Sequence, residues 1–101
     1  MFDPFAEDRI LALNMKFIIL QLLKKTPMHG YQLAKAIEQH FNKAPSMGTL
    51  HPSLLKMEKD GLVRGYGNIE YARYKKIYSI TDKGEQMLAS SKDTMLKFLK
   101  D

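Results

Sequence analysis

Cysteine is missing from all 101 positions of the chain. That excludes a disulfide framework and a thiolate metal site, and it fits a reducing, cytoplasmic setting. Histidine is scarce: there are three, and His29 and His40 lie eleven apart, not a metal-ligand spacing on one helix. No glycine-rich loop is present to cradle a phosphate. An enzyme is therefore not expected, and neither is a metal or any other cofactor. Long apolar runs are missing too. The stretch Ile10–Leu23 is interrupted by Asn14, Lys16 and Gln21 and preceded by acidic residues, so it is a poor membrane span and a poor secretory signal. Repeats, low-complexity tracts and linkers are absent. What remains is one small domain, which at this length buries about two thirds of its unfolded surface and gains from a partner chain.

Positive charge is what the chain has in excess. The net charge is +5, and it is unevenly placed. Residues 1–15 are net acidic and residues 81–101 are balanced, whereas 16–45 and 46–80 carry eleven Lys/Arg against four acids. A basic middle suits a nucleic-acid surface, where cations displace condensed counterions. An ordinary solvated lysine surface is the other reading.

Apolar spacing supplies the elements. Ile10, Leu13, Phe17 and Leu20 form one helical stripe, and Leu11, Met15, Ile18 and Leu22 a second. Two stripes imply burial on two sides, one against the chain's own core and one against a second chain. Thr26-Pro27 ends this helix. A second helix runs over 29–41 with Leu33, Ala36, Ile37 and Phe41 on its apolar face, and Asn42–Pro45 is a short connection. A third follows at about 47–60, with Leu50, Leu54 and Met57 inward and Gly61 as its stop. Period-two alternation in Tyr74, Lys76, Tyr78 and Ile80 marks a hairpin over 62–80, whose tip is expected at about 68–72. Thr81 caps a last helix of about 30 Å, with Asp82 and Glu85 in its first turn and Met87, Leu88, Met95, Leu96, Phe98 and Leu99 as its apolar residues.

The fold expected is mainly α with a small β hairpin. It is a winged helix-turn-helix over 1–80 with an extra contribution from the N-terminal helix, followed by a long dimerisation helix over 81–101. In that architecture the third helix enters the major groove, N-terminal end first. Pro52 within it is tolerable. With Ser46 as N-cap its missing N–H would have bonded the Gly48 carbonyl, among the first internal bonds; with Thr49 as N-cap no internal partner exists.

Three segments carry a family resemblance: PMHGYQLAKAIE at 27–38, SMGTLHPSLLKMEKDGLV at 46–63 and RYKKIYSITDKGEQML at 73–88. In this order and spacing they resemble the PadR family of winged helix-turn-helix transcriptional regulators, of the type with a short C-terminal region. The resemblance implies a homodimer, mostly repressing, on near-palindromic double-stranded DNA, with a small aromatic or drug-like effector in many members. It also implies pairing of the C-terminal helix with the partner, often against its N-terminal helix. The family usually has tyrosine where this chain has His51, and a denser arginine run in the wing.

The expected DNA-binding residues are Ser46, Thr49, His51, Ser53 and Lys56 on the third helix. They continue with Tyr71, Arg73, Lys75 and Lys76 on the wing, and His29 and Tyr31 at the start of the second helix, whose N–H groups can hold a phosphate. Each has a plainer reading: a solvated lysine at Lys56, a packed or capping histidine at His51, turn packing at Tyr31, and strand packing for part of the wing. The expected dimerisation residues are Leu11, Met15, Ile18 and Leu22 with Leu88, Met95, Phe98 and Leu99. The competing functions are a winged helix that binds protein and a sequence-indifferent architectural DNA-binding protein.

Overall fold

The computed structural model of the chain describes residue 11, residues 14–70 and residues 73–100, with the side chains at 68–70, 73 and 74 outside the description. Among the described residues, four helices and a three-stranded antiparallel sheet follow in chain order: α1 (Met15–Lys25), β1 (Met28–His29), α2 (Gly30–Phe41), α3 (Met47–Lys59), β2 (Val63–Glu70), β3 (Arg73–Ile80) and α4 (Asp82–Lys100). The strand order is β1-β3-β2. The stretch 62–80 is therefore a hairpin as expected, and β1 adds a third strand by pairing Met28 with Tyr78 and His29 with Ile77. Two residues are too short a run for alternation to reveal.

The hairpin is longer than its glycines suggested. Backbone pairing runs from Val63↔Ile80 out to Glu70↔Arg73, which confines the connection to residues 71 and 72. Gly65 and Gly67 lie within β2, so they do not mark the turn. Tyr71, and Ile10 and Leu13 of the first apolar stripe, lie outside the described residues.

Local signals hold at the helix ends. Lys25 is the last residue of α1, and Thr26 is extended before Pro27. Asn42 closes α2 with a left-handed φ of 56°, and Gly61 follows α3 with φ 77°, which glycine adopts without cost. Ser46, rather than Thr49, caps α3: the Thr49 N–H donates to Ser46 Oγ at 3.2 Å. Pro52 therefore sits inside α3, and the bond it forgoes is the one to Gly48. Thr81 caps α4, its hydroxyl accepting from the Gly84 N–H at 3.0 Å.

The core gathers Ile19, Leu20 and Leu23 of α1, Leu33 and Ile37 of α2, and Leu50, Leu54 and Met57 of α3 under Leu62, Val63, Tyr78 and Leu88. Each fully buried aliphatic side chain contributes about 1.5–3 kcal/mol. On α1 the inward face is centred on Ile19 and Leu23, which neither sequence stripe contains. Leu11, Met15 and Leu22 also turn into this chain's core, leaving Phe17 and Ile18 half-buried. Where nearly every position is apolar, periodicity cannot select a face. In α4 only Gly84 and Leu88 are buried, and the second half carries Met95, Leu96, Phe98 and Leu99 exposed.

Candidate nucleic-acid interface

The outward face of α3 is the centre of the site. Leu50, Leu54 and Met57 point into the core, so Gly48, Thr49, His51, Pro52, Leu55, Lys56 and Lys59 are left exposed. Helix geometry dictates this: Leu55 follows Leu54 by about 100° of turn and cannot share its burial. The first turn is held by a local network. Ser46 Oγ donates to Thr49 Oγ1 at 3.1 Å, and Ser53 Oγ donates to the Thr49 carbonyl at 3.2 Å. Ser46 and Ser53 thus serve the helix itself, while the Thr49 hydroxyl, used there as an acceptor, still has a proton to donate. Among the described residues a Cβ on Gly48 would meet only Ser46 Oγ, at 3.8 Å, and none of them demands a glycine there. Lys56 pairs with Asp60 at 3.2 Å along the surface, an exposed i,i+4 contact that other anions can displace.

His29 and Tyr31 border the same face. His29 caps α2 reciprocally: its Nδ1 accepts from the Gln32 N–H at 3.3 Å, and its own N–H donates to Gln32 Oε1 at 3.0 Å. With Nδ1 used as acceptor, a neutral imidazole carries its N–H on Nε2, and the side chain lines the neighbouring groove. Tyr31 is 73 % exposed. Between α2, α3 and β3 lies a groove of about 350 Å³ lined by His29, Tyr31, Met47, His51, Lys75 and Tyr78 among others. It joins the start of α2 to the start of α3 and to the wing.

The wing is tied to α3 by an acid the sequence reading passed over. Glu58, in the last turn of α3, accepts from Lys76 Nζ at 2.7 Å and from the Gly65 N–H at 3.1 Å. The Lys76 hydrogen bond, aided by the Gly65 N–H, holds the Glu58 carboxyl below its ordinary value against the opposing effect of partial burial. Lys76 Nζ also lies 5.4 Å from the centroid of the Tyr78 ring. Lys76, expected at the DNA surface, is thus engaged by Glu58, and it lines the groove together with Lys75. Arg73 opens β3 opposite Glu70, and its side chain is outside the description.

Leu88, expected at a dimer contact, is 1 % exposed in the core, like Leu11 at 6 %, Met15 at 7 % and Leu22 at 6 %. Ile18, Met95, Phe98 and Leu99 are those of the expected dimer set that keep accessible surface. Leu55, Glu58 and Gly65 were missed. A second leucine beside the core position 54 was the one available signal for Leu55; nothing local marks the other two.

Two helices joined by a short turn, a hairpin directly after the second, and that second helix exposed along its first turns define a winged helix-turn-helix. The model of the Transcriptional regulator PadR-like family matches residues 19–90. The chain belongs to this family, whose members are transcriptional regulators rather than enzymes. The transcriptional regulator YqjI of Escherichia coli is 31% identical over 82 residues, which are 79% of this chain and 38% of that protein. The chain thus spans well under half the length of this curated relative. Among solved structures, a PadR-like transcriptional regulator of Bacillus cereus has a TM-score of 0.79 at 27% identity, covering 91% of this chain and 90% of the other. PadR of Bacillus subtilis in complex with operator DNA has a TM-score of 0.70 at 26% identity, over 75% of this chain and 45% of that one. No described helix is long and apolar enough to cross a membrane.

Proposed function

We propose that the chain is a sequence-specific DNA-binding regulator that acts in the cytoplasm as a homodimeric repressor on a near-palindromic operator. Residues 1–80 are the DNA-binding unit and residues 81–101 the dimerisation helix. The observation that carries this reading is the exposed N-terminal half of α3, flanked by the basic wing, in a fold similar to one crystallised on operator DNA. α3 enters the major groove with Thr49, His51 and Lys56 toward base edges. Ser46 and Ser53 hold the helix start in shape. His29 Nε2 and Tyr31 reach a phosphate beside it, and Lys75, Arg73 and Tyr71 carry the wing to the adjoining backbone.

A second copy covers the exposed half of α4 and the groove beside it, where Asn14, Phe17, Ile18, Phe41 and Met95 meet. Two copies related by a two-fold axis present two α3 helices to half-sites spaced by about 34 Å or a multiple of it. Occupancy of the operator is what represses. A small aromatic effector fits the neighbouring pocket of about 250 Å³, walled by Phe17 and Phe41, where the side-chain oxygen of Gln21 has no hydrogen-bond partner among the described residues.

Selection of bound duplexes from a random pool, with the winner's affinity followed against salt, tests the reading. An enriched two-fold sequence with a steep salt slope is expected. Weak, sequence-indifferent binding points to an architectural protein. No binding, with a salt-insensitive protein partner instead, points to a protein-binding winged helix.

A further inference from the structure

Gly65 occupies a strand interior, where glycine weakens pairing and has to be explained by something that approaches closely. Three groups do so. A Cβ on Gly65 would run into the Lys76 side chain, stand 2.8 Å from Glu58 Oε2 and 3.1 Å from the Tyr78 ring. Glu58 bridges this point: one carboxylate oxygen takes the Gly65 N–H at 3.1 Å and the other the Lys76 ammonium at 2.7 Å, with both side chains 30% exposed. An isolated exposed ion pair holds little. Here a carboxylate on α3 grips the backbone of β2 and a side chain of β3 together.

The base of the wing has a separate anchor. The Thr81 hydroxyl donates to the Gly61 carbonyl at 2.6 Å, and Lys83 Nζ donates to the Asp60 carbonyl at 2.8 Å. At the level of Gly65 the β3 strand is held on one edge by β1, through the Met28–Tyr78 and His29–Ile77 pairs, and Glu58 adds a tie from α3 to β2 and to Lys76. From Val63 to Glu70 the wing extends seven residues, about 23 Å at ~3.3 Å each. A 15° swing about the base would carry the tip by about 6 Å, well beyond the ~3.4 Å rise per nucleotide along one DNA strand.

We propose that Glu58 is a positioning residue that sets the angle between the wing and α3, with Gly65 and Lys76 as its receiving partners. Its consequence for DNA rests on the DNA-binding reading above; the wing angle itself does not. Glu58 touches no base or phosphate in this role. It decides which phosphates Lys75 and Arg73 can reach while α3 occupies the groove.

The test uses pairs of spin labels at Lys59→Cys and Lys75→Cys, selective because the chain has no cysteine of its own. With the doubly labelled chain diluted into an excess of unlabelled chain, so that the distance within one protomer is read, the distribution in the free protein is expected to be single and narrow. It broadens in Glu58→Ala, and broadens less in Glu58→Gln, whose amide oxygen still accepts the Gly65 N–H. Without labels, Glu58→Ala loses about tenfold in operator affinity, and its salt slope falls by about one to two, the signature of lost phosphate contacts. General loosening of the fold would not alter that slope selectively. If Glu58→Ala does not fold, Lys76→Met is measured the same way. Unchanged distances overturn the proposal, as does a full salt slope at wild-type affinity. A wild type that binds no DNA overturns the DNA-binding reading instead, and the label distances still decide the role of Glu58.

Discussion

Leu55 is the large apolar side chain that helix geometry leaves on the outer face of α3, beside the core position Leu54. It stands 45% exposed on α3, in line with Gly48 and Pro52 at helical spacing. A lone exposed leucine is ordinary. A ridge of glycine, proline and leucine, with Lys56 and Lys59 beside it, is what a major-groove edge bearing thymine methyl groups would accept. On the selected operator, replacing half-site thymines by deoxyuridine is expected to weaken binding by about fourfold per contacted methyl, from the ~0.8 kcal/mol of a buried methylene-sized group. Leu55→Gln should erase the difference between the two duplexes. Equal binding of both duplexes by the unaltered protein would leave Leu55 a solvent-facing residue.

Among elements, the junction of α4 with the wing is close-packed at Gly84. Gly84 lies where a Cβ would collide with the Leu62 carbonyl oxygen and come within 2.8 Å of Ile80 Cγ1. Elsewhere in a helix, glycine to alanine stabilises by up to about 1 kcal/mol. Here a backbone carbonyl cannot move aside. Gly84→Ala is therefore expected to destabilise by about 2–4 kcal/mol in denaturant unfolding, and the sign alone distinguishes close packing from propensity. This junction was half legible. The Thr81 cap follows from its residue type and position, whereas the demand for glycine three residues later arises from Leu62, which arrives from another element.

At the scale of the whole molecule, α4 outruns its own core. Phe98 is 77% exposed, Leu99 69%, Leu96 63% and Met95 53%, four large apolar side chains within five positions of one helix. Phe98→Asp is expected to shift sedimentation from dimer to monomer and to cost operator affinity, because two half-sites are no longer gripped by one particle. A monomeric unaltered protein at micromolar concentration would remove the dimer from the reading. The sequence stripes placed Leu11, Met15, Ile18 and Leu22 at an expected dimer interface; the fold buries Leu11, Met15 and Leu22 in the monomer and leaves Phe17 and Ile18 half-buried.

Much of the architecture was determined by the sequence itself: the order of the helices and the hairpin, the cap at Thr81 and the stop at Gly61, while the cap of α3 was narrowed to Ser46 or Thr49. Caps and stops are contacts between residues three or four apart, and apolar spacing is a property of one helix at a time, so both are written locally. Tertiary structure alone decided which face of α1 is inward, that β1 joins the sheet, and that the charge of Lys76 is met by Glu58 across 18 positions of sequence. Those outcomes depend on what arrives from elsewhere in the chain, and no spacing within a single element encodes that.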